Sequence, residues 1–287
     1  MSIKNVLAGL VLAVLISTTG FAQEEKEEEP KYGWETKFIG TLNLAQTALS
    51  NWTQGGESSW NWQIDINGSF VDKQEHFDWS NTIKILYGKT QLGGKDPQKT
   101  TDEIFFETVY TRKIWPKLNP YIAATALTQF TAGYDYSTEP STKISNFLDP
   151  GYFRESIGID YTPDDNFKTR FGFAFKQTVA DVYAARWSDD PETINEVEKL
   201  RNEIGAESVT DYNLQLSELI IYVTKLELFS NIKRIDEIDV RWDNVFSAKV
   251  ADYIAVSFNF KLFYDKDVSL KRQLYQTLAV GLTYSFL

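Results

Sequence analysis

A catalytic pair built on histidine in this chain of 287 residues would have to use His76, because the sequence contains no other histidine. A Ser-His or Asp-His catalytic pair needs a histidine that is held in place at the working end of a site. His76 instead closes the polar run Asp72-Lys73-Gln74-Glu75, which predicts a turn between two strands. We therefore interpret His76 as a solvated turn residue and predict no catalytic residues.

Metal binding has equally few candidates. With no cysteine and one histidine, the sequence has no cluster of ligands for a transition metal. Asp189-Asp190 could bind calcium, but the spacing of an EF-hand loop is missing, and an aspartate before Pro191 fits the start of a helix. We predict no metal site and no cofactor. The net charge of −11 also argues against nucleic acid, whose phosphates require basic patches.

Electrostatic binding is the remaining chemistry, because charged residues alternate with apolar ones along several segments. Successive side chains of a strand point to opposite faces, so these charges share one face of a predicted sheet. The predicted inward-facing set comprises Glu103, Glu107, Arg170, Lys176, Lys225, Glu227, Asp239, Arg241, Asp243 and Lys249. Both signs occur, which predicts a cross-strand ion network. Such a network would either brace a narrow barrel or select solutes by charge.

A period of two defines the elements that position these charges. In the clearest segment Trp60, Trp62, Ile64, Ile66, Gly68 and Phe70 share one face, and Asn61, Gln63, Asp65, Asn67 and Ser69 share the other. Such alternation predicts about twelve strands, near residues 34–45, 57–71, 77–91, 102–114, 120–132, 152–162, 166–179, 207–217, 219–230, 236–250, 252–265 and 272–286. Several exceed ten residues, which is typical of membrane strands and long for a soluble protein.

The links between these strands alternate between long and short. The long links include 46–56, 92–101, 133–151 and 180–206, and the short ones include 72–76, 115–119 and 163–166. Outer-membrane barrels have long external loops and short periplasmic turns. Aromatic residues also lie mostly toward the strand ends, as in interfacial girdles. Together these patterns predict an all-β fold, an antiparallel transmembrane β-barrel of about 12 strands in the cell outer membrane.

The N-terminus predicts export. Lys4 precedes an apolar stretch from Val6 to Ile16, which is too short to span a bilayer, and Gly20-Phe21-Ala22 suits cleavage. We therefore predict a signal peptide over residues 1–22, an acidic disordered leader over 23–33, and the barrel over 34–287. The alternative is a membrane anchor that stays attached.

One helix is predicted in the external loop over residues 180–206. Ile194, Val197, Leu200 and Ile204 lie on one side of a helix that would run from Pro191 to Ile204, with Gly205 as its stop. Long structured loops often carry function. Alternatively, the apolar stripe packs on the barrel rim or caps the pore.

Several stretches resemble a family of uncharacterised Gram-negative outer-membrane β-barrels, known as a domain of unknown function. The resemblance is carried by residues 43–47, 50–52 with 55–57, 147–153, 240–244 and 264–267, and it extends over nearly the whole mature chain. It implies the barrel fold and the outer-membrane location. It supplies neither an activity nor functional residues.

Three hypotheses for function follow. The first is a closed structural barrel or a narrow passive channel for small solutes. The second is an accessory subunit that binds an envelope protein partner through its external loops. The third, an enzyme, has no visible catalytic residues to support it. The expected contacts are outer-membrane lipid and, during biogenesis, the barrel-assembly machinery, since Tyr284 and Phe286 end an amphipathic last strand.

Overall fold

In a computed structural model, which describes residues 32–51, 53–183, 185–189, 193, 196–266 and 269–286, the chain forms a closed antiparallel barrel of twelve strands. The predicted signal peptide and most of the predicted leader lie outside these residues. The barrel strands are β1 (Gly33–Thr47), β2 (Ser59–Lys73), β3 (Phe77–Leu92), β4 (Gln98–Arg112), β5 (Leu118–Thr128), β8 (Gly151–Tyr161), β9 (Phe167–Val179), β10 (Leu200–Gln215), β11 (Ile220–Asn231), β12 (Ile238–Ala251), β13 (Ile254–Tyr264) and β14 (Gln273–Ser285).

Each barrel strand pairs with its neighbours along the chain, and β14 closes the sheet on β1 with Ile39 opposite Ser285. Two further strands, β6 (Gly133–Asp135) and β7 (Thr142–Ser145), form a small separate sheet within the link between β5 and β8. The fold class predicted from the sequence is confirmed.

The links fall at the two ends of the barrel as the alternation predicted. One end carries the links 48–58, 93–97, 129–150, 180–199, 232–237 and 265–272, which have five or more residues, and the other carries the links 74–76, 113–117, 162–166, 216–219 and 252–253, which have two to five. We call these the long-loop end and the short-turn end. An antiparallel meander places alternate links at the same end, so the two link lengths mark two different environments.

The helix predicted over 191–204 is wrong. Residues 200–204 belong to β10, which begins seven residues before the predicted strand over 207–217, and Leu200 pairs with Val179 of β9. Residues 191, 192, 194 and 195 lie outside the described part. Leu200 and Ile204 are spaced to fit both a helix face and a strand face, and pairing with β9 decides for the strand. The link contains instead a single helical turn, α1 (Ala185–Ser188).

No helix in the described residues has the length and apolarity needed to cross a membrane.

The two faces of the sheet differ in chemistry. On β13 the outward residues are Ile254, Val256, Phe258, Phe260, Leu262 and Tyr264, and the inward ones are Ala255, Ser257, Asn259, Lys261 and Phe263. Outward apolar residues such as Phe171, Phe173, Leu274 and Leu278 are exposed. The interior instead holds most of the buried charged side chains, so the sheet is apolar outside and largely polar inside.

On β11 and β12, polar side chains of the outward face form hydrogen bonds with one another. Asn244 Oδ1 accepts hydrogen bonds from Tyr222 Oη at 2.7 Å and from Thr224 Oγ1 at 2.9 Å. Thr224 in turn accepts one from Trp242 Nε1 at 2.9 Å. In hydrocarbon an unpaired polar group costs several kcal/mol, so this arrangement suits a face that contacts lipid.

Aromatic rings gather on the outward face at the short-turn end. Trp34 lies 6.0 Å from Trp79, Phe77 lies 5.3 Å from Tyr110, and Tyr253 lies 6.4 Å from Tyr284, measured between ring centroids. Rings at this position form the girdle that is typical of membrane barrels.

Substitutions at two neighbouring positions of β13 test the assignment of the faces. Val256→Arg puts a guanidinium on the outward face and should lower the free energy of unfolding by about 2–4 kcal/mol if it lies near the bilayer midplane. Ser257→Arg, the matched control, points inward and should cost much less. Denaturant unfolding in lipid vesicles measures both. Equal losses would show that the faces are assigned the wrong way round.

Candidate functional site

Charged side chains from eight strands meet inside the barrel and form ion pairs across it. We call this set the lumen belt. It comprises Lys84, Glu103, Glu107, Arg154, Arg170, Lys176, Glu203, Glu207, Lys225, Glu227, Asp239, Arg241, Asp243 and Lys261. Each of these residues lies on the inward face by the register of its strand.

The widest crossing joins Glu103 on β4 to Arg241 on β12. These strands lie six places apart in either direction around the barrel, so they face each other across the full lumen. Arg241 Nη2 nevertheless lies 3.1 Å from Glu103 Oε1, and Lys261 Nζ of β13 lies 3.1 Å from Glu103 Oε2. Arg241 also contacts Asp243 at 3.3 Å. The long side chains therefore obstruct the lumen at this level.

A second crossing is centred on Glu107, two inward positions further along β4, with Phe105 between the two glutamates. Arg170 Nη2 of β9 donates to Glu107 Oε2 at 2.6 Å, and Lys225 Nζ of β11 donates to Glu107 Oε1 at 2.8 Å. Arg170 is only 3% exposed and Glu107 is 7% exposed. One carboxylate thus compensates parts of two buried cations from separate strands.

Arg154 on β8 links two carboxylates of neighbouring strands. Its Nε lies 3.0 Å from Glu207 Oε2 of β10, and its Nη2 lies 2.5 Å from Glu227 Oε2 of β11. Tyr121 Oη of β5 donates to the other oxygen of Glu207 at 3.0 Å. Glu207 and Tyr121 are each 2% exposed, so this part of the lumen is packed.

Toward the long-loop end, Lys176 on β9 contacts three carboxylates. Its Nζ lies 2.6 Å from Asp239, 3.1 Å from Asp265 and 3.4 Å from Glu203. Arg201 Nη2 lies 3.3 Å from Glu203. This end of the belt is consequently rich in acidic groups.

The ring of Phe105 sits among three belt cations. Arg241 Cζ, Lys84 Nζ and Lys225 Nζ lie 5.6, 5.7 and 5.9 Å from its centroid. Cations are attracted to an aromatic face at such distances. Among the described residues, Lys84 has no carboxylate within ion-pair distance and meets the other belt cations around this ring.

Nine of the ten residues predicted to face inward lie in the belt. The tenth, Lys249, is 56% exposed and pairs with Asp252 at 3.1 Å beside the short turn after β12. Lys249 faces inward, but it lies so close to the short-turn end that its side chain does not contact the belt charges.

The sequence prediction missed five belt residues: Lys84, Arg154, Glu203, Glu207 and Lys261. Lys84 and Lys261 each lie between two apolar residues, so the same alternation could have found them, whereas Glu155 directly after Arg154 breaks the alternation there. Glu203 was hidden because its segment was predicted as a helix, and Glu207 lay on the first residue of the strand predicted after it.

The wall formed by β14, β1 and β2 is different. Its inward residues are mostly uncharged and include Thr41, Asn43, Asn67, Thr277 and Ala279. Within the described part of the chain, no ion pair joins this wall to the opposite strands. Inward-facing Lys37, Ile39 and Asn67 are exposed. The belt therefore obstructs one side of the lumen and leaves this side more open.

A cavity of about 500 Å³ lies on the long-loop side of the belt. Its lining includes Glu103, Phe105, Arg241, Lys261 and, from α1, Trp187. The cavity connects belt charges with aromatic rings, and the link between β9 and β10 contributes to its wall.

The links at the long-loop end are tied to one another. Asp149 accepts hydrogen bonds from the backbone N–H groups of Asp181, Val182 and Tyr183 at 2.9–3.1 Å. Elsewhere, hydrogen bonding by Lys266 holds the pKa of the Glu237 carboxyl below its usual range. These contacts restrain the loops around the cavity mouth.

His76 is exposed in the turn after β2, and its carbonyl oxygen accepts a hydrogen bond from Lys113 N at 2.8 Å. Asp189 follows α1, and its N–H donates to Ala185 O at 3.0 Å. Asp190 lies outside the described residues. No group of three or more histidine, aspartate or glutamate side chains in the described part is arranged to hold a metal.

A family model described as a protein of unknown function (DUF3078) matches residues 44–134. This match, from the end of β1 into β6, confirms the resemblance to a domain of unknown function for that stretch. The motifs at 147–153, 240–244 and 264–267 lie beyond it. No curated protein matches the chain.

Three solved structures illustrate what this chain is similar to. The translocator domain of the autotransporter NalP from Neisseria meningitidis is 10% identical, with 99% of this chain and 94% of that chain covered and a TM-score of 0.40. The NanC porin is 6% identical, with coverages of 86% and 98% and a TM-score of 0.40. The COG4313 outer membrane channel from Pseudomonas putida F1 is 8% identical, with coverages of 93% and 100% and a TM-score of 0.40.

Removing one shared carboxylate tests how much the belt contributes to the free energy of unfolding. Glu107→Gln removes the closest carboxylate of Arg170 and Lys225, which keep only the longer contacts with Glu207 at 3.9 Å and with Asp211 at 3.5 Å. Breaking a buried ion pair in this way typically costs about 3–5 kcal/mol. We expect a decrease of this order in the free energy of unfolding in lipid vesicles. Lys249→Gln, an exposed inward charge, is the matched control and should change stability by less than about 0.5 kcal/mol. Equal effects would show that the belt contributes no more than a surface pair.

Proposed function

We propose that this protein is an integral outer-membrane barrel in which the lumen belt forms the barrier, leaving a narrow passage for small solutes. The observation that carries the proposal is the contact between Glu103 and Arg241, two residues on strands that face each other across the lumen. A lumen that is bridged at its full width cannot carry the wide aqueous pore of a 16–18-stranded porin.

The outer-membrane location is supported by the outward face of the sheet. That face is apolar along its middle, its hydroxyl, indole and amide groups on β11 and β12 bond to one another, and its aromatic rings gather at the short-turn end. A closed sheet has no edge with unpaired backbone groups, which is the condition for strands to cross a bilayer. The predicted signal peptide provides the route out of the cytoplasm.

The passage would follow the wall of β14, β1 and β2. Ion pairs occupy the space between β4 and the strands β8–β13, whereas this wall presents mostly uncharged groups toward the lumen and forms no ion pair with the opposite strands in the described part of the chain. Ions and small polar solutes would move between this wall and the belt. The belt charges of both signs would then act on the solute from one side.

Single-channel recording in planar bilayers tests the barrier. The intact protein should give small or no steady conductance. Arg241→Ala removes a bridging side chain and leaves Glu103 and Asp243 in excess, so conductance should rise and selectivity should shift toward cations. Glu107→Ala leaves Arg170 and Lys225 in excess and should shift selectivity toward anions.

Reversal potentials in a salt gradient measure these two opposite shifts, and Lys249→Ala is the control that should leave the potential unchanged. A large, stable, porin-like conductance of the unmodified protein would contradict a belt that acts as the barrier.

Deleting residues 186–198 tests whether the lumen belt or the loop between β9 and β10 is the barrier to conductance. This deletion removes Trp187 from the cavity wall and retains all of β10, which begins at Leu200. With the belt intact, conductance should remain small. A rise to the level of Arg241→Ala would assign the barrier to the loop between β9 and β10.

A further inference from the structure

One carboxyl group lies on the outward face well inside the barrel wall. Glu155 is the fifth residue of β8, points outward between Phe153 and Ile157, and is exposed. At a strand tilt of about 40°, each residue advances about 2.5 Å along the barrel axis, so Glu155 lies roughly 10 Å from the end of β8. This depth falls within the apolar band.

Glu155 has no hydrogen bond or ion pair with any other described residue. Asp102, another outward-facing carboxylate, is covered instead. It pairs with Lys99 at 3.0 Å and accepts hydrogen bonds from the backbone of Phe130 and Thr131. A lone ionisable group facing hydrocarbon is costly, and such groups generally mark a contact with a partner. The described part of the chain thus supplies no partner for Glu155, and a contact with another molecule would supply one.

The residues beside Glu155 at the same depth have complementary shapes. Its register partners are Ala124 on β5 and Phe175 on β9. Because the strands tilt, the outward residues level with Glu155 lie about one to two positions further along each neighbour. Going around the closed barrel from β1 to β14, successive register partners lie closer and closer to the long-loop end. The outward residues level with Glu155 are therefore Ala126 on β5 and Phe173 on β9. Phe173 is 70% exposed, so a projecting ring and a small methyl group flank the carboxyl.

We propose that a second copy of this chain covers this surface in the membrane, related by a two-fold axis along the membrane normal that passes beside Glu155. Such an axis places the two Glu155 carboxyls face to face and sets Phe173 of each copy against Ala126 of the other. A two-fold interface must be self-complementary, and small residues allow close approach within membranes. A protonated Glu155 carboxyl of one copy can donate a hydrogen bond to the Glu155 carboxyl of the other. The same surface on both copies thus supplies the partner that each Glu155 lacks.

This dimer rests on the membrane location proposed above. Because the chain contains no cysteine, single-cysteine variants report contacts without background. Glu155→Cys should form a disulfide-linked dimer when isolated outer membranes are oxidised. Co-expressed Ala126→Cys and Phe173→Cys chains, carrying different tags, should cross-link to each other. Leu278→Cys is the matched control, since Leu278 is 74% exposed on β14, directly opposite β8, and should remain monomeric.

Each result decides for or against the dimer. Membrane-embedded, heat-modifiable protein with Glu155→Cys cross-linking no more than Leu278→Cys would overturn it while leaving the proposed location intact. A cross-linked product with the mass of another protein would assign the surface to a different partner and also overturn it. Recovery of the chain as a soluble species would instead reject the proposed function. In a mild detergent, Glu155→Gln should keep the dimer mass and Glu155→Lys should lose it.

Discussion

Pairing between β14 and β1 is the constraint on which the rest of the structure depends. It closes the sheet, so no strand keeps an unpaired edge. Closure also gives the sheet one inner and one outer surface. Every odd or even position along a strand is thereby committed to the lumen or to the outside. A register slip of one residue would move Arg241 and Glu103 toward lipid, where neither charge could be compensated.

Inside the barrel, the belt arranges buried charges so that each has partners of opposite charge or an aromatic ring. Charges removed from water are expensive, and a buried ion pair rarely adds much net stability. The belt reduces the cost by sharing: Glu107 serves Arg170 and Lys225, Arg154 serves Glu207 and Glu227, and Lys176 serves three carboxylates. Such sharing holds long side chains across the lumen, where apolar residues of similar size would collapse against the wall. The belt is therefore suited to obstruct the space as well as to brace it.

The outside follows the opposite rule. Polar atoms there are few, and those on β11 and β12 are saturated by one another through Tyr222, Thr224 and Asn244. Glu155 departs from this rule on the same surface, because no other described residue forms a hydrogen bond or an ion pair with it. On the same apolar face, the amide of Asn244 has hydrogen-bond partners and the carboxyl of Glu155 has none among the described residues. This difference singles out Glu155 as a candidate contact site.

The sequence by itself determined the strands, the faces and the two ends of the barrel, because these depend on a two-residue period and on link lengths that can be seen locally. It also placed nine belt residues on the inward face. Only the tertiary structure decided which of them meet, since Glu103 and Arg241 are 138 residues apart and their contact depends on barrel closure and strand tilt. It likewise decided that residues 200–204 pair with β9 rather than form a helix, because apolar residues four apart fit both periods and the neighbouring strand supplies the hydrogen bonds that settle the choice.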